Sequence, residues 1–541
     1  MRKPSCDQIV FLCVSASSLL RHCGAIHSTV SVIDGQTTIT GLAQRGLEYF
    51  YDLPYASPPT QLNRFRPPVP AKPLGTAFDA SVAKKTQCIG QVPADGGRTI
   101  NHIITPFMPK WTVGIEDCLK LDIVRPAGTT ATSALPILVY FHGGGWQIGS
   151  KNDHDGSRII KVSIQEQTPI IFIAINYRLS FYGWPAGQQI KEAGLANLGL
   201  LDQREALHWI QRHITSFGGD PTKVTLQGES AGAFSIGYHT LLNGGNQGTL
   251  FRAIIQQSGT AVQAGDVAMG QKHFDTIAAG TGCDRAKDPI VCLREVPLST
   301  LSKVVNELPF IFTAEHALEL PAIPRPDDKL FSGLPFDLFK AGKFSKVPVL
   351  SGTNTDEGTL FAYNTNITSE GSFKRYLTGT FPHLTPDQLD TIVKTYPQNP
   401  DIGSPYGTGN SYAVGTGQSK RLASFLGDLA FVAPRRAHTR LVQAHGVPAW
   451  TYLFAAYDLF YLGTPHSIDL ATVFGENGLR DRRHLLMAAA WVRFVNDPWK
   501  GPGWPQHPFS QLYTTTLLPG QDDYRFDQIN TLISLLDVLV Y

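Results

Sequence analysis

The stretch Val224-Thr225-Leu226-Gln227-Gly228-Glu229-Ser230-Ala231-Gly232 decides how this chain is read. Its first three residues are β-branched or apolar, as in a buried strand. From Ala231 to Tyr238 the residues are small and helix-compatible. The pattern is strand, sharp turn, helix, with a serine at the apex, the arrangement of a nucleophile elbow. Glycines at 228 and 232 fit, because a Cβ at either would collide with the neighbouring strand or helix. The turn lifts the Ser230 hydroxyl clear of the sheet. It also sets it at a helix N-terminus, where unpaired N–H groups favour developing negative charge. Alone, the motif could be an ordinary glycine-rich turn, so the rest of the chain has to decide.

Upstream, residues 135–141 read Leu-Pro-Ile-Leu-Val-Tyr-Phe, a continuous apolar run with the look of a buried parallel strand. It ends in His142-Gly143-Gly144-Gly145-Trp146. Three glycines in a row cost chain entropy, so something needs them. The need we read is an oxyanion hole, backbone N–H groups turned toward a developing negative charge. A flexible turn fits less well, because bulky Trp146 follows at once. Further strands are expected at 170–176, 251–256, 347–352 and 450–454, and a helix at 200–214. Strands alternating with helices predict an α/β fold: a mostly parallel central sheet flanked by helices. Helical and loop insertions are expected at 283–346 and 369–444, and an amphipathic helix at 482–496. Residues 29–40 alternate as antiparallel strands do, whereas the many prolines of 49–70 argue for an ordered loop without regular structure.

Serine nucleophiles need a base and a carboxylate to orient it. Among 16 histidines, His466 follows the last expected sheet strand and sits in a Gly/Pro loop, where it can reach a site. His208 and His213 fall within a helical pattern and read as surface or packing residues, and His142 as orienting its loop. For the carboxylate, Asp356 and Glu357 both lie just past a strand.

The chain has 541 residues, 42% of them hydrophobic, and a formal net charge of +2. That is ample for a large core, and the scattered Lys and Arg ask for no nucleic acid and no acidic membrane surface. Arg2 and Lys3 precede an apolar stretch at 9–20 and the small residues Cys23-Gly24-Ala25. This predicts a signal peptide over 1–25, secretion, and a single domain over 26–541. No later run approaches a membrane span, and the C-terminus, Asp537-Val538-Leu539-Val540-Tyr541, is no lipid-anchor tail, so no stable membrane anchor is expected. Of seven cysteines, Cys6, Cys13 and Cys23 fall in the leader, leaving Cys88, Cys118, Cys283 and Cys292. Four cysteines allow three pairings, of which the neighbouring one closes the shortest loops. No Cys-x-x-Cys spacing points to a metal. Asn366-Ile367-Thr368 is a glycosylation sequon in a stretch that reads as surface loop. The 88–118 segment carries Ile103, Ile104, Phe107, Met108 and Trp111, readable as packing or as a flap over a pocket.

With these motifs in view, the chain resembles the type-B carboxylesterase/lipase family, α/β-hydrolases that include cholinesterases and fungal lipases. The resemblance spans about 49–504. It rests on Arg64-Phe65-Arg66-Pro67-Pro68, Glu116-Asp117-Cys118-Leu119-Lys120-Leu121, the 142–145 loop and Asn176-Tyr177-Arg178-Leu179. It continues through Asn197-Leu198-Gly199-Leu200-Leu201-Asp202-Gln203, Phe217-Gly218-Gly219-Asp220-Pro221 and the elbow. The order Ser, acid, His is that of α/β-hydrolases. The resemblance implies Ser230 as nucleophile, Glu357 as triad acid and His466 as base. It implies Gly144, Gly145 and Ala231 as oxyanion donors, the disulfides Cys88–Cys118 and Cys283–Cys292, and an Arg64–Glu116 pair. Two departures, Ser180-Phe181-Tyr182-Gly183-Trp184-Pro185 and Pro465 before His466, are expected to reshape the pocket.

The expected activity is hydrolysis of a small-molecule carboxylic ester through an acyl-enzyme, without metal or cofactor. Interfacial lipase action and non-catalytic adhesion are the alternatives. The presence of all three triad residues argues for the enzyme, and the proline-broken 88–118 segment for an esterase. Nothing in the chain sets an oligomeric state.

Overall fold

The computed structural model describes residues 28–92, 114–313, 317–363, 365–412, 418–459, 461–476 and 482–541. The leader at 1–25 and the flap residues Ile103, Ile104, Phe107, Met108 and Trp111 lie outside them. Two strands show why the apolar runs form a sheet buried on both faces. In β6 (Leu135–Phe141), Ile137, Val139 and Phe141 join one apolar core while Leu138 and Tyr140 join another. In β7 (Ile171–Ile175), Ile171, Ile173 and Ile175 part from Phe172 and Ala174 in the same way. Successive strand side chains point to opposite faces, so an unbroken apolar run needs cover on both. Helices Ser157–Gln165 and Arg482–Asn496 cover one face, and Leu198–His213 and Ala231–Leu241 the other.

The remaining strands are β1 (Ser28–Asp34), β2 (Thr37–Gln44), β3 (Leu47–Pro54), β4 (Ala77–Asp79), β5 (Lys120–Pro126), β8 (Gly219–Glu229), β9 (Ala253–Gln257), β10 (Val349–Asn354), β11 (Ala449–Phe454), β12 (Phe509–Tyr513) and β13 (Leu517–Gln521). Among the described residues they form one 13-stranded sheet, ordered β1-β2-β3-β5-β7-β6-β8-β9-β10-β11-β12-β13, with β4 beside β2. From β7 to β12 every neighbouring pair is parallel. The flanking pairs β1/β2, β2/β3, β3/β5, β5/β7 and β12/β13 are antiparallel.

Two expectations are corrected. Residues 49–54 belong to β3, because the prolines begin only at its last residue, Pro54. The strand absorbs an irregularity instead, a register shift between Phe50 and Leu53, where Asp52 takes φ 54°. The strand before His466 is also not the last of the sheet. β12 and β13 extend it, but they are short, carry Ser510, Gln511 and Gln521, and lie half exposed at the edge, so no apolar run announces them. Among the described residues no helix is long and apolar enough to cross a membrane.

Crosslinks hold the loops around this sheet. Cys88 is bonded to Cys118 and Cys283 to Cys292. Arg64 Nε donates to Glu116 (2.6 Å), and its Nη1 donates to the carbonyls of Leu293 (3.2 Å) and Val296 (2.8 Å), so one guanidinium joins the first disulfide loop to the chain just past the second. Arg178 and Asp202 form a buried two-pronged pair, Nε to Oδ2 at 2.7 Å and Nη2 to Oδ1 at 2.6 Å, with Arg178 Nη1 also on the Arg66 carbonyl (2.8 Å). Burial raises the Asp202 carboxyl despite Arg178. Removing one member of a buried pair strands the other, at a cost of about 3–5 kcal/mol. Asp202→Ala should therefore lower the urea midpoint of unfolding by that equivalent; an unchanged midpoint would show that Arg178 finds water or another partner.

Candidate active site

The parallel strands end at one edge of the sheet, where ligands of such folds collect. β8 ends in Glu229 and passes into Ser230, whose φ of 52° and ψ of −125° are strained for a residue with a side chain. Neighbours maintain the strain. Ser230 N–H donates to the Gln257 carbonyl at the end of β9 (3.0 Å). A Cβ on Gly232 would fall 2.0 Å from the Phe141 carbonyl oxygen, and one on Gly228 2.5 Å from the Gly232 carbonyl carbon. The helix Ala231–Leu241, buried along its length, begins at once.

β6 hands over to His142 and the three glycines. The Gly144 carbonyl is tied back by the N–H groups of Gln147 (3.0 Å) and Ile148 (3.1 Å). His142 is occupied in holding the loop. Its Nδ1 lies 2.9 Å from the Gly143 carbonyl, its ring stacks on Tyr177 at 4.3 Å, and the Tyr177 hydroxyl donates to its carbonyl (2.6 Å). Burial depresses its basicity. Trp146 anchors the far end, its Nε1–H donating to Ser235 Oγ (2.9 Å). The unusual 180–185 segment supports this anchor: Ser180 N–H donates to the Trp146 carbonyl (2.6 Å) and the Trp184 ring lies 5.7 Å from that of Trp146. It stands behind the loop and does not line the cavity beside Ser230.

Past β10, Asp356 and Glu357 point different ways. Glu357 Oε2 lies 2.6 Å from His466 Nδ1, while its Oε1 accepts from Asn354 N–H (2.7 Å) and Ser258 Oγ (2.7 Å). Asp356 accepts from Thr464 N–H (2.9 Å) and Ser404 Oγ (2.7 Å). A backbone bridge between Asp356 and Pro465 ties the acid loop to the one carrying His466. That is the structural place of the second departure. The His466 ring is packed by Phe361 (5.2 Å) and Phe431 (4.4 Å). His213 is engaged elsewhere, with Asp34 at 2.7 Å, and His208 does not line the cavity.

Glu229, inside the elbow, was not singled out from the sequence. Its Oε1 accepts from Ser467 Oγ and lies 3.1 Å from His466 Nε2, which makes no hydrogen bond. Burial pushes the Glu229 carboxyl up to about 7, against the pull of His466 and Ser467. Burial also lowers His466, but the Glu229 and Glu357 charges and the Glu357 hydrogen bond outweigh it and leave the imidazole above its ordinary pKa. Asp469 was missed too. Buried behind the cluster, it accepts from Tyr452 OH (2.6 Å) and Gln257 Nε2 (2.9 Å). A charged residue beside the elbow serine, and an acid three residues after His466, were the available signals. Ser230, Glu229, His466, Gly143, Gly144 and Gly145 line a common cavity of about 230 Å³, which also has apolar walls at Ile311, Phe312 and Phe361.

A model of the carboxylesterase family matches residues 25–497. The secreted triacylglycerol lipase LIP1 of Gibberella zeae is 38% identical over 82% of this chain and 78% of its own. Secreted lipase 1 of Botryotinia fuckeliana is 38% identical over 88% of this chain and 87% of its own. Among solved structures, Aspergillus niger EstA superposes with a TM-score of 0.81 at 26% identity, over 95% of this chain and 99% of that one. The chain belongs to the carboxylesterase family.

Proposed function

We propose that this carboxylic ester hydrolase works through Ser230, His466 and Glu357. The single observation carrying the reading is the 2.6 Å contact of Glu357 with His466 Nδ1, which leaves Nε2 without a hydrogen bond in a residue that lines the same cavity as Ser230. Ser230 Oγ attacks the ester carbonyl as His466 Nε2 takes its proton. Glu357 holds the Nδ1–H tautomer and stabilises the imidazolium, and the N–H groups of Gly144, Gly145 and Ala231 receive the oxyanion. His466 then returns the proton to the leaving alcohol, and water repeats the sequence on the acyl-enzyme to release the acid. We also infer export through the 1–25 leader, in keeping with the relatives named as secreted, a single domain over 26–541, and glycosylation at Asn366, which is exposed.

Ser230→Ala and Glu357→Gln should fold and lose several orders of magnitude in kcat/KM on a soluble ester, with Asp356→Asn much milder. Near wild-type activity in folded Ser230→Ala would remove the nucleophile assignment, and the reverse ranking of the two acids would transfer the role to Asp356.

Catalysis needs neutral His466, whose pKa is raised. The acid limb of kcat/KM should therefore have its midpoint above the ordinary value of about 6.5, activity falling as pH drops through it. Glu229 titrates together with His466. Because the Glu229 charge favours the imidazolium, Glu229→Gln should move the limb to lower pH. Profiles taken with circular dichroism at each pH separate this from acid unfolding, and an unmoved limb would deny the coupling.

A second reading, interfacial lipase action, is favoured by the names of the Gibberella and Botryotinia relatives. We hold to the esterase. The rate on tributyrin should rise smoothly through its solubility limit, whereas a severalfold jump there would make the enzyme an interfacial lipase.

A further inference from the structure

The cavity beside Ser230 has two unlike sides. Ile311 and Phe312 stand against the glycine loop; a Cβ on Gly145 would fall 2.7 Å from Ile311 Cδ1. The other side begins at Glu229 and Ser467 and continues to Tyr140, His154 and Glu476. His466 Nε2 lies 3.1 Å from Glu229 Oε1. The atom assigned to protonate the leaving oxygen therefore adjoins Glu229, and the alcohol half of a bound ester is expected to extend along this polar side.

His154 and Glu476 are a built pair on that side. They come from segments 322 residues apart, and Nδ1 of His154 lies 2.5 Å from Glu476 Oε1. The imidazole is fixed by stacking face to face on Phe474, with centroids 4.4 Å apart and planes 4° apart, and by an edge contact with Tyr140 at 5.6 Å. With Nδ1–H given to Glu476, Nε2 carries a proton only in the imidazolium, the form the Glu476 contact favours, and there it is the donor His154 has left, with Glu476 Oε2 an acceptor beside it. A hydroxyl both donates and accepts, so it matches this pair, whereas an alkyl group can use neither partner. Burial opposes charge on His154, yet the Glu476 hydrogen bond and charge raise its pKa, which disfavours a cationic alcohol in the same place.

We propose that the His154–Glu476 pair selects the alcohol part of the substrate, favouring esters whose alcohol carries a free hydroxyl, such as polyol monoesters, over esters of simple alkanols. This rests on the ester-hydrolase reading and names the substrate class of that site. Glu476 is partly exposed, its side chain retaining 44% of its accessibility, so water competes for the pair and the preference should be moderate. A hydrogen bond to a charged group corresponds to roughly tenfold or somewhat more in such a setting.

The test compares the glycerol monoester and the methyl ester of butyric acid, both dissolved, so that no interface intervenes. The wild type should show kcat/KM for the glycerol ester about tenfold above that for the methyl ester. In Glu476→Ala, and separately in His154→Phe, which retains an aromatic ring over Phe474, that ratio should fall toward one, whatever the absolute rates do. A wild-type ratio near one, or a ratio that both folded variants preserve, would overturn the proposal while leaving the ester-hydrolase reading intact. A wild type inert on both esters would overturn the two together.

Discussion

The close pass of the chain at Gly232 governs the carboxyl edge of this sheet. Only a residue without a side chain can stand where a Cβ would lie 2.0 Å from the Phe141 carbonyl oxygen. That approach brings the start of the buried helix Ala231–Leu241 against the end of β6, and with it the serine against the glycine loop. Two segments that must face the same reacting carbon are thus fixed relative to each other by backbone contact. Long side chains would hold them with less precision.

The second constraint is electrostatic. Glu357, Glu229 and Asp469 are buried near one imidazole, and carboxylates crowded away from water are tolerated only when hydrogen-bonded. Each has its own donors: Asn354 N–H and Ser258 for Glu357, Ser467 for Glu229, Tyr452 and Gln257 for Asp469. Because Oε1 of Glu357 is satisfied by groups at the ends of β9 and β10, Oε2 is left aimed at Nδ1. The cluster thereby stores a preference for positive charge on His466, the charge that proton transfer from a nucleophile creates there.

What was legible in the chain follows from how strongly local pattern and burial coincide. Residues 135–141 and 482–496 appear with the bounds expected of them, since a run apolar on both faces and a long amphipathic stripe each admit one solution. The residues alone left Asp356 and Glu357 both open, and the family resemblance implied Glu357; in the structure Glu357 lies against His466 Nδ1 while Asp356 turns to Thr464 N–H and Ser404. Glu229 was hidden by its own motif, because the elbow explains its glycines and serine without asking what the remaining position does. β12 and β13 escaped because half-exposed edge strands need no apolar run, and β3 because prolines were counted across a boundary that begins at Pro54. The His154–Glu476 pair spans 322 residues, a separation over which no local pattern carries information.

The bridge between Asp356 and Pro465, with Thr464 N–H on the Asp356 carboxylate, closes a chain excursion of 108 residues at its two mouths. Acid and base are registered to each other at that closure, and from the chain in between Phe361 and Phe431 return to pack the His466 ring. Loops of the excursion that stay clear of Phe361, Phe431, Ser404 and β11 can therefore lengthen, shorten or change composition without disturbing proton transfer. In evolutionary terms the molecule carries outer loops set apart from its own chemistry, where new surfaces can be tried while the reaction continues.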